Sequence, residues 1–81
     1  MLDIVTSNSV VATNIKRIIE ERSLKQSSIA KKAGFSPQGL NDMLNGRRLM
    51  RAAEIAAVIE VLDVDANELF KSLPDKKEES V

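Results

Sequence analysis

The sequence has no cysteine, histidine, tryptophan or tyrosine, and its only aromatic residues are Phe35 and Phe70. Without cysteine there are no disulfide staples and no thiolate metal sites, which suits a reducing cytoplasm. Without histidine the commonest general base and the commonest metal ligand are missing. No Ser–Lys or paired-carboxylate arrangement stands out either, so no catalytic residue, metal or cofactor is expected. No apolar run reaches membrane-spanning length. The N-terminus, Met1-Leu2-Asp3-Ile4-Val5, lacks the basic start and long apolar stretch of a signal peptide. The chain also lacks net charge, with 12 basic and 12 acidic residues among 81. At that length one domain is expected, with a core small enough that well-packed helices must carry stability.

The most informative stretch runs from Gln26 to Asn45. Ile29, Ala30 and Ala33 form one face of a short helix, and Leu40, Met43 and Leu44 form the face of another. Gly34 stands between them, where a tight turn needs a positive φ at little steric cost. Ser36 followed by Pro37 is a helix start: a hydroxyl N-cap, then proline at the first helical position. Two helices joined by a short glycine-containing turn form a helix-turn-helix. At roughly 100° per residue, Gln38, Asp42 and Asn45 lie opposite Leu40 and Leu44. The alternative for this stretch is an ordinary helical hairpin with a solvated polar face.

Charge is segregated. Residues 10–51 hold nine basic and three acidic side chains, net +6, whereas residues 52–81 hold three basic and eight acidic, net −5. A basic region that coincides with the motif is the electrostatic footprint of a polyanion binder, although both halves could simply solvate their surfaces.

The rest of the chain supplies three further helices. Val11, Ile15, Ile18 and Ile19, with Arg22 trailing, predict a first helix over about Val10 to Arg22. Residues 1–9 then form an N-terminal arm, extended or disordered, with Ser7, Asn8 and Ser9 as possible N-caps. Leu24 is expected to plug the core between the first two helices. Lys25 precedes the second helix, over Gln26 to Ala33, where it cannot cap; an anion such as phosphate, or water, would satisfy the exposed N–H groups. The third helix spans Pro37 to Leu44 and ends at Asn45-Gly46, followed by Arg47, Arg48 and Arg51. The fourth spans Ala52 to Leu62 with Ile55, Val58, Ile59 and Leu62 inward. The fifth spans Ala66 to Leu73, capped by Asp65 and stopped by Pro74, with Leu69 and Phe70 expected to close the core. Residues 10–73 thus make the domain, and 74–81 a disordered polar tail.

With five helices placed, the chain resembles the DNA-binding domains of the lambda-repressor and Cro type, also called the xenobiotic-response-element family, over about Val10 to Phe70. The residues that carry the resemblance are Leu24-x-Gln26, Ile29-Ala30, Gly34-Phe35-Ser36, Leu40, Met43-Leu44-Asn45-Gly46 and the ending Ile55…Leu62-Asp63-Val64-Asp65…Leu69-Phe70. The family implies an all-α, five-helix fold with the helix-turn-helix at helices two and three. It implies a third helix that reads the major groove, and dimers on pseudo-symmetric operators that regulate transcription in bacteria and phages. By this resemblance Gln26 touches a phosphate or braces the reading helix. Pro37, Gln38, Asn41 and Asp42 meet base edges, and Asn45 and the arginines after it meet the DNA backbone.

Three departures qualify the match. Pro37 offers only apolar contact. Asp42 places a carboxylate beside the groove, able to accept from a cytosine amino group but otherwise repelling phosphate. Ile19 and Leu44 stand where many relatives pair an arginine with a glutamate, so direct contact between them is expected.

The expectation is a cytoplasmic, sequence-specific DNA-binding regulator, most simply a repressor, whose partner is a pseudo-palindromic double-stranded operator. Gln38 and then Asn41 are the base readers, glutamine being able to pair bidentately with adenine. Lys25, Arg47, Arg48 and Arg51, with Lys31 and Lys32, are the phosphate neighbours. A homodimer is expected, with Val64 and Leu73 as interface candidates, and no small-molecule ligand or membrane contact. The rival is a protein-interaction module on the same fold, such as an antitoxin or antirepressor-type subunit, which Asp42 and the acidic C-terminal half favour.

Overall fold

A computed structural model describes residues 4–71, with side chains from Asn8 to Lys71. Among these residues all regular structure is helical: α1 (Ile4–Glu21), α2 (Gln26–Ala33), α3 (Pro37–Leu44), α4 (Ala52–Leu62) and α5 (Ala66–Phe70). None of these helices is long and apolar enough to cross a membrane.

The apolar stripes meet in one core. Val11, Ile15, Leu40, Val58 and Leu69 are fully enclosed, with Ile18, Ile19, Ile29, Ala30, Met43, Leu44, Met50 and Leu62 buried around them. Phe35, Ile55, Ile59 and Val64 pack against this cluster from the side. Helix α3 packs against both α2 and α1, α2 also packs on α4, and α5 closes on α1. The reading-helix candidate is therefore supported on its apolar side by two other helices. Ile19 and Leu44, which replace the ion pair of many relatives, are both buried in this core.

The turns follow the local chemistry. Gly34 adopts φ 87° and closes α2, and the N–H of Phe35 reaches the Ala30 carbonyl at 2.8 Å. Ser36 Oγ accepts from the Gly39 N–H at 3.0 Å, with Pro37 at the first position of α3. A Cβ on Gly39 would stand 3.0 Å from that same Oγ, so the glycine leaves the capping hydroxyl its place. Asp65 caps α5 through the Asn67 N–H.

Several expectations are corrected. Helix α1 begins at Ile4, so residues 4–9 are helix, not arm. Asn8 lies within α1, and its Oδ1 accepts from the Met50 N–H at 2.5 Å, tying the first helix to the α3–α4 loop. Helix α5 ends at Phe70, three residues early, and Lys71 is extended at ψ 145°. The cause is Asn14, whose Nδ2 donates to the carbonyls of Leu69 and Lys71 at 2.8 and 3.0 Å, fixing the chain where it leaves the helix. Leu24 does not plug the core: Ser23 takes a left-handed φ of 56° to close α1, and Leu24 emerges exposed. Only Leu69 of the Leu69–Phe70 pair points inward, and Phe70 is 48% exposed, since neighbouring residues on a helix diverge by roughly 100°. Arg22 does not join the apolar stripe, but donates to the Leu62 carbonyl at 2.6 Å, where a cation suits the C-terminal end of α4. Leu73, Pro74 and the polar tail lie outside the described residues.

Candidate nucleic-acid interface

The outer face of α3 carries two parallel strips of polar side chains, each at i, i+4 spacing: Gln38 with Asp42, and Asn41 with Asn45. Gln38 and Asn45 are exposed, Asn41 and Asp42 half-buried. Pro37, at the exposed start of the same helix, presents only its ring.

The first strip is a charged relay. Gln38 Nε2 donates to Asp42 Oδ1 at 2.8 Å, and Arg47 Nη1 reaches the same oxygen at 3.4 Å. The Asp42 carboxylate, which by itself would repel phosphate, thus has a guanidinium beside it. The second strip is a chain of carboxamides. Asn45 Nδ2 donates to the Asn41 main-chain carbonyl at 2.9 Å and to Asn41 Oδ1 at 3.1 Å. Gln26 Nε2, from the start of α2, reaches that Oδ1 at 3.4 Å. The start of α2 is thereby linked to the outer face of α3 through the Gln26 side chain.

Basic residues stand on the segments before α2 and after α3, with different degrees of freedom. Lys25 precedes α2 in an extended conformation with no side-chain cap bond, and α2 has no acidic residue in its first turn. Arg47 is exposed although it approaches Asp42. Arg48 forms a short ion pair with Glu54 through Nη2 and Oε2. The other oxygen of Glu54 accepts from the Arg51 N–H at 2.8 Å and closes the first turn of α4. That backbone bond, with the hydrogen bond and charge of Arg48 and the charge of Arg51, holds the Glu54 carboxyl below its ordinary pKa despite an opposing contribution from burial. Arg51 itself is exposed.

Two residues were given no role from the sequence, Lys16 beside this region and Asn14 in the core. An open groove of about 360 Å³ runs between α1 and the α3–α4 turn, and Lys16 lines it together with Asn45, Arg48 and Leu49. Lys16 thus joins these basic residues from a helix read only for its apolar stripe. Asn14 sits among the core residues, 1% exposed. Its position between Val11 and Ile18 on the apolar stripe was the available signal, a polar residue where helical spacing calls for an apolar one.

A helix-turn-helix family model matches residues 15–69, more than half of the chain. The chain belongs to the Cro/C1-type helix-turn-helix family. It is accordingly a DNA-binding helix-turn-helix regulator, and α2, the Gly34 turn and α3 are the unit that gives the family its description. Comparison with curated proteins and with solved structures gives no match.

Proposed function

We propose that the protein is a transcriptional repressor of bacterial or phage type that binds a pseudo-palindromic operator as a homodimer, with α3 in the major groove. The observation that carries this reading is the outer face of α3. Four polar side chains project from a helix anchored on α1 and α2; Arg47 reaches Asp42, Lys16 and Arg48 line a groove with Asn45, and Lys25 and Arg51 are exposed on the adjoining segments. Gln38, Asn41 and Asp42, with Pro37 beside them, meet base edges and supply specificity. The basic residues and Asn45 meet phosphates and supply salt-dependent affinity. One reading helix spans few base pairs, so two copies, about 34 Å apart on one face of the duplex, are required. The proposed contact between copies uses half-buried Val64 before α5 and exposed Phe70 at its end, together with Leu73, which lies outside the described residues.

The second reading, a protein-interaction module on this fold, is favoured by one feature: Asp42 and Glu54 partly neutralise the very arginines that would face phosphate. Selection of bound sequences from a random duplex pool separates the two. The repressor reading predicts an enriched two-fold site whose binding weakens steeply with added salt. Absence of enrichment, with a protein partner retained, supports the interaction module.

A further inference from the structure

The C-terminal end of α3 places a primary carboxamide next to an unshielded main-chain nitrogen. After Asn45 the chain turns through a left-handed φ of 80°, which costs any residue with a Cβ and is met by Gly46. The turn therefore puts after Asn45 the one residue type whose side chain does not hinder its own nitrogen. The other asparagines lie inside helices and precede Ser9, Ile15, Asp42 and Glu68, each of which carries a Cβ. Asn45 and Gly46 are both exposed to water. The closed helix end nevertheless keeps the two groups apart. At ψ 8° for Asn45 the Gly46 nitrogen nearly eclipses the Asn45 nitrogen, a third of a turn from the side where Cβ lies. The Gly46 N–H donates to the Met43 carbonyl at 3.3 Å, and the Arg47 N–H to the Asp42 carbonyl at 2.8 Å. Asn45 Nδ2 is held at the Asn41 main-chain carbonyl and Oδ1. These are bonds of an exposed last turn, which opens at far lower cost than the core.

We propose that Asn45 is a self-modification site, converted to a carboxylate by the Gly46 nitrogen at a rate set by opening of this last turn. The Gly46 nitrogen, its proton passed to hydroxide, attacks Asn45 Cγ. The N–Cγ bond forms, the Cγ–Nδ2 bond breaks, and Nδ2 takes a proton from water and leaves as ammonia. Water then opens the five-membered imide at one of its two carbonyls, giving aspartate or isoaspartate without any oxidant or reductant. Aspartate puts an acceptor where Nδ2 donated, against the Asn41 carbonyl and Oδ1. It also adds a negative charge to a side chain that lines the same groove as Lys16 and Arg48. Isoaspartate lengthens the main chain by one carbon just before Arg47 and Arg48. Either product weakens phosphate contact, a consequence that rests on the reading that this face binds DNA.

The test is ageing of the full chain at neutral and mildly alkaline pH, with peptide mapping by mass spectrometry and an isoaspartate-specific methyltransferase as the reporter. Conversion should appear at Asn45 before any other asparagine and quicken as pH rises. It should run about tenfold faster in guanidinium-unfolded chain than in folded chain, the protection expected of a fraying helix end. An excess of the selected duplex should slow it further, and binding should fall in proportion to the converted fraction. Asn45→Gln, compared with its own fresh sample, should lose no binding on ageing. Absence of conversion at Asn45 in folded chain, while the unfolded chain converts, overturns the proposal. Equal rates in folded and unfolded chain overturn the control by the last turn. Full conversion with undiminished duplex binding overturns the consequence for DNA. If no duplex is ever selected, the operator reading fails, and the peptide map still decides whether Asn45 is the site.

Discussion

Asn14 of α1 and Asn41 of α3 are the same residue type on two helices that pack together, yet their polar atoms have opposite fates. Asn14 is enclosed in the core. Its Nδ2 serves two carbonyls of the α5 end, and its Oδ1 accepts from Arg17 at 3.3 Å. Asn41 is half-buried, its Oδ1 takes two donors, and among the described residues its Nδ2 has no partner. Burial without satisfaction costs about as much as losing a hydrogen bond outright, so a core amide must be paired throughout. A surface amide can keep one atom unpaired because water pairs it at little cost until a ligand replaces the water. The difference separates a residue that specifies the fold from one that is available to specify a partner.

The largest effect expected from this contrast is on stability. Asn14→Ala should lower the free energy of unfolding by about 1–3 kcal/mol, because it strands the Leu69 and Lys71 carbonyls in or near the core. Denaturant titration checks this, and unaltered stability would break the contrast from the core side. Asn41→Ala should leave stability within about 0.5 kcal/mol, as surface substitutions usually do. It should nevertheless remove about 1–3 kcal/mol of base discrimination at one operator position, measured by competition binding. Arg48→Ala should act differently from both: all duplexes weaken alike, and the salt slope falls by about one. A sequence-selective loss from Arg48→Ala would place base reading outside the α3 face.

The smallest effect sharpens the structural side. The Glu54 carboxyl is held below its ordinary pKa by the Arg51 N–H and the two arginines. In acid the unfolded chain therefore takes up this proton before the folded chain does. The contribution of Glu54 is complete above the ordinary carboxylate pKa and is lost as pH falls through the depressed folded value. Glu54→Gln should remove that part of the acid sensitivity in thermal melts taken across the acidic range. An unchanged pH profile would show that the ion pair and cap at the start of α4 contribute nothing to folding.

The five helices, the Gly34 turn and the Ser36 cap were legible in the sequence because each rests on residues within a few positions of one another. Helical periodicity, a positive-φ glycine and an N-cap hydroxyl are local signals. The missed features have distant causes. Asn8 reads as a cap in its own segment, but its side chain is held by the Met50 N–H across the molecule. Helix α5 reads as running to Pro74, but Asn14, more than fifty residues earlier, fixes its end. Leu24 and Phe70 are apolar beside turns, where only the path of the chain decides which residue faces inward. Part of the composition of the candidate interface was local as well: spacing put Gln38, Asp42 and Asn45 on the outer face of α3, whereas Asn41 entered through the family resemblance. Its pairing was not: nothing local shows that Gln26 reaches Asn41, or that Glu54 takes Arg48.

The most direct test follows the carboxamides themselves. The chain has only five asparagines and two glutamines, so their side-chain NH2 signals can be resolved in a ¹⁵N-labelled sample titrated with the selected operator duplex. The account predicts that the Asn41 and Gln38 signals shift as the duplex is added, while the Asn14 signal stays in place and remains protected from exchange. A shift of Asn14 with Asn41 and Gln38 unmoved would contradict the division between a folding amide in the core and a reading face on α3.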